Sequence, residues 1–310
     1  LTHSGLSIVE WQPIVGAVPP LDEAQWLETF ERYRQTPEYR LVNRGMTLDA
    51  FKGIFWWEYF HRLLGRLIGL AFGLPLLWFI LRGHVNRPLG LKLAGIFVLG
   101  GLQGAMGWYM VKSGLVDDPR VSQFRLTAHL ALAFLIFAAL VWTALTLLDR
   151  TTMPPRAAVA RLLAWTVTGL VAYMAVTGGF VAGIRAGKAY NTFPLMNGHF
   201  VPPEIFMLEP WWKNFFYNMA TVQFDHRLGA WALALLVPWL WWKVRAVEDA
   251  RARLASHLLL AMLGVQITLG ALTVVNAVPV GLGASHQGGA VVLLGFAIAL
   301  NHALRERRSR

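Results

Sequence analysis

The sequence lacks cysteine altogether over its 310 residues. This absence excludes disulfides, iron–sulfur clusters, thiolate metal ligands and a cysteine nucleophile. Any metal must therefore be held by histidine, carboxylate or backbone groups. Acidic residues are also scarce, since 17 Asp and Glu stand against 28 Lys and Arg and give a formal net charge of +11. The meaning of that charge depends on where the basic residues lie.

Charged residues of either sign make up only 15% of the chain, whereas 56% is hydrophobic. Soluble domains carry roughly 25% charged residues, so this composition indicates a protein that lies in lipid. Apolar stretches of this length should be helices, because an isolated strand would leave backbone polar groups unpaired in hydrocarbon. We therefore expect an all-α polytopic membrane protein with seven transmembrane helices in this chain, at about 59–81, 90–110, 124–148, 162–183, 224–243, 254–275 and 283–304.

The basic residues are concentrated in alternate turns between these stretches. By the positive-inside rule these turns face the cytoplasm or matrix, and the longer connections 1–57, 111–123 and 184–223 lie outside. The segregation explains the net charge without a nucleic-acid partner, and the compact loops favour a bacterial inner membrane over a mitochondrial one. The basic turns contain Arg82, Arg87 and Lys92; Arg150, Arg156 and Arg161; Lys243, Arg245, Arg251 and Arg253; and Arg305, Arg307, Arg308 and Arg310.

Two matching pairs of histidines, His61 with His129 and His226 with His286, each open a long apolar segment. The intervals within the pairs are similar, and each holds about two membrane crossings. The pattern predicts an internal duplication, with a first half 1–150 and a second half 151–310. Helix 162–183 has no counterpart in the first half, so we expect eight crossings in the natural protein, the first being absent from this chain.

All four histidines lie at outer helix ends and hence in one leaflet, on the periplasmic or intermembrane side. Haem iron commonly takes axial histidines, and a six-coordinate site in a bundle takes one from each of two facing helices. The pattern predicts one haem iron between His61 and His129 and another between His226 and His286. A histidine in a membrane helix can also be a hydrogen-bonded packing residue, but four at equivalent depth favour ligation.

Polar neighbours of the histidines differ between the halves. Arg62, Arg66 and Arg227 are candidates to pair with haem propionates, although snorkelling to the interface is an equal alternative. Glu58 shares the face of His61 at i−3, where the second half has Gln223. A carboxylate at the membrane boundary is costly and suggests proton relay or stabilisation of a cationic intermediate, the alternative being an ion pair with Arg62.

The outer segment before the first apolar stretch contains its own helical pattern. Its apolar face lies between Pro20 and Pro37 and predicts a short outer helix. Thr47 is the expected N-cap of a helix that enters the membrane at Trp56. The residues of that apolar face are Trp26, Leu27, Phe30 and Tyr33.

Several short motifs of this chain together resemble the haem A synthase family of cytochrome oxidase assembly, in its cysteine-free branch. The likeness extends over nearly the whole chain. It rests on Ser4–Trp11, on Glu58-Tyr-Phe-His61-Arg62-Leu-Leu-Gly65-Arg66, on Gln103–Gly114, on Pro119–Gln123 leading to His129, on Tyr190-Asn-Thr-Phe-Pro194, on Gln223-Phe-Asp-His226-Arg227, and on Ser285-His286-Gln287.

The resemblance implies an oxidoreductase that converts the C8 methyl group of haem O to a formyl group through hydroxylated intermediates. It places the substrate haem O between His61 and His129, and a prosthetic haem B between His226 and His286. Glu58 matches the acidic residue near the family's substrate site. Some branches carry an outer-loop cysteine pair, so a thiol-based step proposed for them cannot operate in this chain.

Two other classes remain open on sequence alone. A di-haem bis-histidine electron-transfer cytochrome would explain the histidines equally well but Glu58 less well. A transporter built from repeats is disfavoured because no interrupted helix is visible at mid-membrane. The expected partners are the lipid bilayer, haem O, the haem O synthase that supplies it and an unidentified electron donor, and a homo-oligomer is compatible with the sequence.

Overall fold

The computed structural model describes residues 5–10, 12, 15–115, 119–149 and 158–305. Helices dominate this part of the chain, and strand pairing within it is limited to an isolated bridge between Met196 and His199. The expected all-α class is therefore confirmed. The chain divides by its contacts into Leu1–His129 and Leu130–Arg310. The sequence-based halves 1–150 and 151–310 remain a prediction.

The first unit begins with outer helices, α1 (Glu23–Arg34) and α2 (Pro37–Leu41). Asp22 caps α1 by accepting from the Gln25 N–H. The buried face of α1 packs on the first turns of the long helix that follows α2, with the ring centres of Trp26 and Phe55 4.9 Å apart. The predicted helix between Pro20 and Pro37 is confirmed, but Leu27 lies outside its buried face and is 47% exposed.

The next helix, α3 (Leu48–Leu81), begins at the predicted cap, where the Thr47 side chain accepts from the Ala50 N–H. Its 34 residues span about 51 Å at 1.5 Å per residue, which exceeds a hydrocarbon core of about 30 Å. The helix is therefore longer than a membrane crossing requires, and its first turns pack against α1. Helix α4 (Arg87–Ser113) packs against α3, and α5 (Gln123–Leu148) contributes His129 to this unit.

The second unit combines the rest of α5 with α6 (Ala158–Gly183), α9 (Met219–Val244), α10 (Ala250–Val275) and α11 (Val280–Leu304). Side chains such as Val167, Leu240 and Leu300 are fully buried in its core. The outer segment between α6 and α9 includes the short helices α7 (Ala186–Ala189) and α8 (Asn214–Tyr217).

Within the described residues, six helices are long and apolar enough to cross a membrane, namely α3, α4, α5, α6, α10 and α11. This is the composition of an integral membrane protein. The expected count of seven is corrected to six: α9 has 26 residues, but Asp225, Arg227 and Lys243 lower its apolar character. Of the basic turns, Arg150, Arg156, Arg307, Arg308 and Arg310 lie outside the described residues.

Candidate functional site

The second histidine pair is formed by two helices of the second unit. The Asn218 cap starts α9 so that His226 lies two turns in, and His286 occupies the second turn of α11. The two imidazole centres are 6.4 Å apart with planes at 80°. A metal lies about 2 Å from each imidazole nitrogen it binds, which would put two ring centres about 6 Å apart. The observed spacing fits one metal ion between the rings.

Neighbouring helices fix the orientation of these rings. The Thr177 hydroxyl on α6 lies 2.8 Å from His226 Nδ1, which leaves Nε2 available as a ligand. A Cβ on Gly270 of α10 would lie 2.9 Å from His286 Cε1, and one on Gly178 would lie 3.3 Å from His226 Cε1. His286 Nδ1 is buried without a hydrogen-bond partner among the described residues. The glycines therefore leave just enough room for the two rings, and His286 keeps a ring nitrogen without a partner among the described residues.

The number of ligands restricts the kind of metal group. In the part of the chain that the structure describes, no three His, Asp or Glu residues cluster as a metal site. A bare ion held by two imidazoles would lack ligands, since protein metal sites usually supply three or more. A haem brings four in-plane nitrogens and needs only axial ligands. The residues present fit the predicted haem.

The first pair repeats part of this arrangement in the first unit. His61 lies on α3 and His129 on α5, and both belong to this unit. Gln103 Nε2 lies 3.3 Å from His129 Nε2, and a Cβ on Gly107 would lie 3.0 Å from His129 Cε1. His129 Nδ1 is buried and unpartnered among the described residues. His61 is exposed, whereas His129 is half-buried.

A Gln and a Gly four residues apart thus serve the later histidine of both pairs. In the second unit Gln266 donates to the His286 carbonyl at 2.9 Å, and Gly270 adjoins the ring. This spacing was a usable sequence signal. By contrast, Gly65, four positions after His61, has no atom within 4 Å of its Cβ position.

Glu58 is 8% exposed and pairs with Arg62, whose Nε donates to Glu58 Oε1 at 2.7 Å. The ion pair named as the alternative to a functional role is therefore present. It uses one carboxylate oxygen, and Glu58 also interacts electrostatically with His61. The carboxylate is thus held beside the first histidine of its pair.

All three candidate arginines donate to backbone carbonyls of outer segments. Arg62 bonds the carbonyls of Ile8 and Glu10, and Arg66 that of Gln12. Arg227 bonds four carbonyls between residues 190 and 195. Hydrogen bonds to a charged donor contribute about 1.5–3 kcal/mol each. These arginines hold outer loops, and their pairing with propionates remains a prediction.

A further carboxylate beside the second pair escaped sequence reasoning. Asp225 precedes His226 and accepts a hydrogen bond of 2.6 Å from the Tyr173 hydroxyl of α6. The first half has Phe60 at the equivalent place. Comparison of the two repeats at the position before each histidine would have found this difference.

Residues 1–298 match the family described as cytochrome oxidase assembly protein, COX15-CtaA. A heme A synthase of Nitrosospira multiformis is 62% identical over 315 residues, covering 99% of this chain and 87% of the relative. The heme A synthase of Nitrosomonas eutropha is 56% identical, covering 96% of this chain and 85% of the relative. That of Parvibaculum lavamentivorans is 50% identical, covering 98% and 87%.

Proposed function

This chain belongs to the cytochrome oxidase assembly family COX15-CtaA, and from that premise we propose that its two histidine pairs hold a substrate haem and a resident haem. The chain is a haem A synthase, an oxidoreductase that converts haem O to haem A. Conversion of a methyl to a formyl group removes four electrons from the carbon and adds one oxygen atom.

The single observation that carries the assignment is the spacing of His226 and His286, with ring centres 6.4 Å apart. We assign haem B to this pair and the substrate haem O to His61 and His129. The reason for this order is the carboxylate of Glu58, whose place in the second half is taken by Gln223. A resident haem B supplies one-electron transfer when bound.

The substrate site would use four side chains in three distinct roles. His61 and His129 would bind the iron of haem O and orient the substrate. Glu58 accepts a proton or stabilises positive charge at the reacting methyl carbon. Arg62 keeps that carboxylate in place through its 2.7 Å ion pair. The haem O synthase that supplies the substrate and a separate electron carrier are the proposed partners.

The test of this function is expression of the protein in a host that makes haem O but no haem A. Extracted haems are separated by chromatography and identified by mass. We expect haem A only when the protein is present. Haem B at two per chain with haem O unchanged would contradict the assignment and would favour an electron-transfer cytochrome.

The glycine that contacts the His286 ring gives a matched test of the haem B site. Gly270→Ala places a Cβ 2.9 Å from the ring, whereas Gly264→Ala on the same helix has no atom within 4 Å. We expect Gly270→Ala to reduce bound haem B roughly tenfold, since a displaced ligand weakens metal binding. Gly264→Ala should retain it. The measurement is haem B per purified chain by pyridine haemochrome, and equal content in the two variants would remove Gly270 from the site.

We also propose that the histidine ends of the helices face the periplasm. The absence of cysteine makes single-cysteine labelling unambiguous. Asn191→Cys, in the exposed outer segment, should react with a membrane-impermeant maleimide in intact spheroplasts. Glu248→Cys, in the basic turn before α10, should react only after lysis. The reverse labelling pattern would invert the proposed topology.

A further inference from the structure

The second-half outer segment is tied to α9 through one guanidinium group. We propose that Arg227 is a positioning residue that clamps residues 190–195, called here the cap turn, over the second histidine pair and so keeps its haem from exchanging. The inference rests on the proposed function in assigning haem B to this half. It gives Arg227 a role through the cap turn rather than through haem propionates.

Arg227 is 7% exposed and directs both terminal nitrogens at the cap turn. Nη2 donates to the carbonyls of Thr192 at 2.7 Å and Tyr190 at 3.3 Å. Nη1 donates to those of Pro194 at 3.1 Å and Leu195 at 3.3 Å. Because Arg227 directly follows His226, one helical turn fixes both the ligand and the cap turn.

A second side chain of α9 holds the same segment. Gln223 lies one turn before Arg227, is 2% exposed, and donates to the Tyr190 carbonyl at 2.9 Å. Further along the helix, the Trp231 ring stacks on Phe200 with centres 4.7 Å apart. The outer segment is therefore attached to α9 at successive turns.

Further hydrogen bonds lie within the cap turn and between it and the residues that follow. The Thr192 hydroxyl donates to the Leu195 carbonyl and accepts from the Asn197 N–H, both at 2.7 Å. Met196 and His199 exchange backbone hydrogen bonds of 2.8 and 3.1 Å. These bonds link the cap turn to residues 196–199, so releasing its attachment to Arg227 loosens the turn even while Gln223 and the Trp231–Phe200 contact remain.

Among the described residues, the guanidinium at the equivalent place in the first half is shared between two kinds of acceptor. Arg62 divides its donors between the Glu58 carboxylate and two carbonyls, those of Ile8 and Glu10. Its side chain is 18% exposed. A substrate haem must enter and leave, whereas a resident haem must stay. Arg62, which shares its donors with Glu58, would therefore belong to the half whose haem exchanges. Arg227, whose hydrogen bonds to the described part of the chain all go to the cap turn, would belong to the half whose haem stays bound.

The test compares Arg227→Lys with Arg245→Lys at the inner end of the same helix, where the guanidinium lies over the Trp241 ring. Lysine keeps the charge but replaces the planar guanidinium fork with a single ammonium group, which cannot match the four carbonyls that Arg227 spans. Haem B transfer to excess apomyoglobin and amide hydrogen exchange of residues 190–197 are measured. We expect Arg227→Lys to accelerate haem loss about tenfold and to accelerate exchange of these amides. Arg245→Lys should behave as wild type.

A second arm separates the cap turn from the propionates. Each protein is reconstituted with protohaem dimethyl ester, which has no free carboxylate. The clamp requires the same acceleration by Arg227→Lys with the ester as with haem B. An acceleration that disappears with the ester would overturn the inference in favour of propionate pairing, and unchanged amide exchange in Arg227→Lys would overturn it directly.

Two provisions keep the test decisive. Should Arg227→Lys fail to fold, Gln223→Ala removes one bond to the Tyr190 carbonyl without altering charge, and it should accelerate the same amides to a smaller extent. Unchanged exchange in that variant would count against the clamp. A wild-type protein that never binds haem B would contradict the proposed function instead, because amide exchange tests the clamp without haem.

Discussion

Glu58→Gln should retain both haem sites but convert haem O to haem A at least about 100-fold more slowly, the range in which loss of a general acid or base usually falls. The substitution makes the first half resemble the second, where Gln223 occupies this place. The amide keeps the shape of the side chain, and Arg62 keeps its bonds to the carbonyls of Ile8 and Glu10. The measurement is haem A formed per bound haem O.

Two further variants test whether the carboxylate itself is required. Asp49→Asn removes an exposed carboxylate from the same helix and should leave conversion unchanged. Arg62→Gln removes the partner of the ion pair while Glu58 remains. If Glu58 served only to hold Arg62, both members of the pair would cause equal losses on substitution. A larger loss in Glu58→Gln than in Arg62→Gln would identify the carboxylate as the reacting group, and full activity of Glu58→Gln would exclude it.

The helices were predictable because each apolar run is long enough to cross a membrane and leaves little alternative to a helix. Their ends were less predictable, since a helix continues beyond its apolar residues until a cap satisfies its first N–H groups. The predicted stretch 90–110 extends to Arg87 because Asn86 accepts from the Leu89 N–H. Likewise 224–243 begins at Met219, after the Asn218 cap.

Residues of the candidate site were predictable only where the internal repeat places them at equivalent positions. The four histidines occur in matching motifs of the two halves, so the sequence predicts their pairing. The partners of Arg227 are backbone carbonyls more than 30 residues earlier, at Tyr190 and Thr192, and carbonyls leave no sequence signature. Thr177, which orients His226, lies 49 residues before it on another helix. Contacts of these two kinds require coordinates.

His286→Ala should remove haem B while the first-half site still binds haem O. One of the two axial ligands is lost, and even outer-shell changes near a metal commonly cost 10–100-fold in affinity, so the resident haem should fall at least about tenfold. The Gln266 side chain bonds the His286 carbonyl rather than its ring, so the helix contact survives the substitution. Haem B and haem O per chain are measured after purification.

The control for this prediction is His257→Ala, an exposed histidine of α10 whose ring bonds the Arg253 carbonyl. It should keep both haems, whereas His129→Ala should lose haem O and keep haem B. These opposite losses follow only if each pair binds its own haem. Unchanged haem B in His286→Ala would show that His226 and His286 do not bind haem B as a pair. Loss of both haems from either variant would mean that the two sites do not fold or bind haem independently.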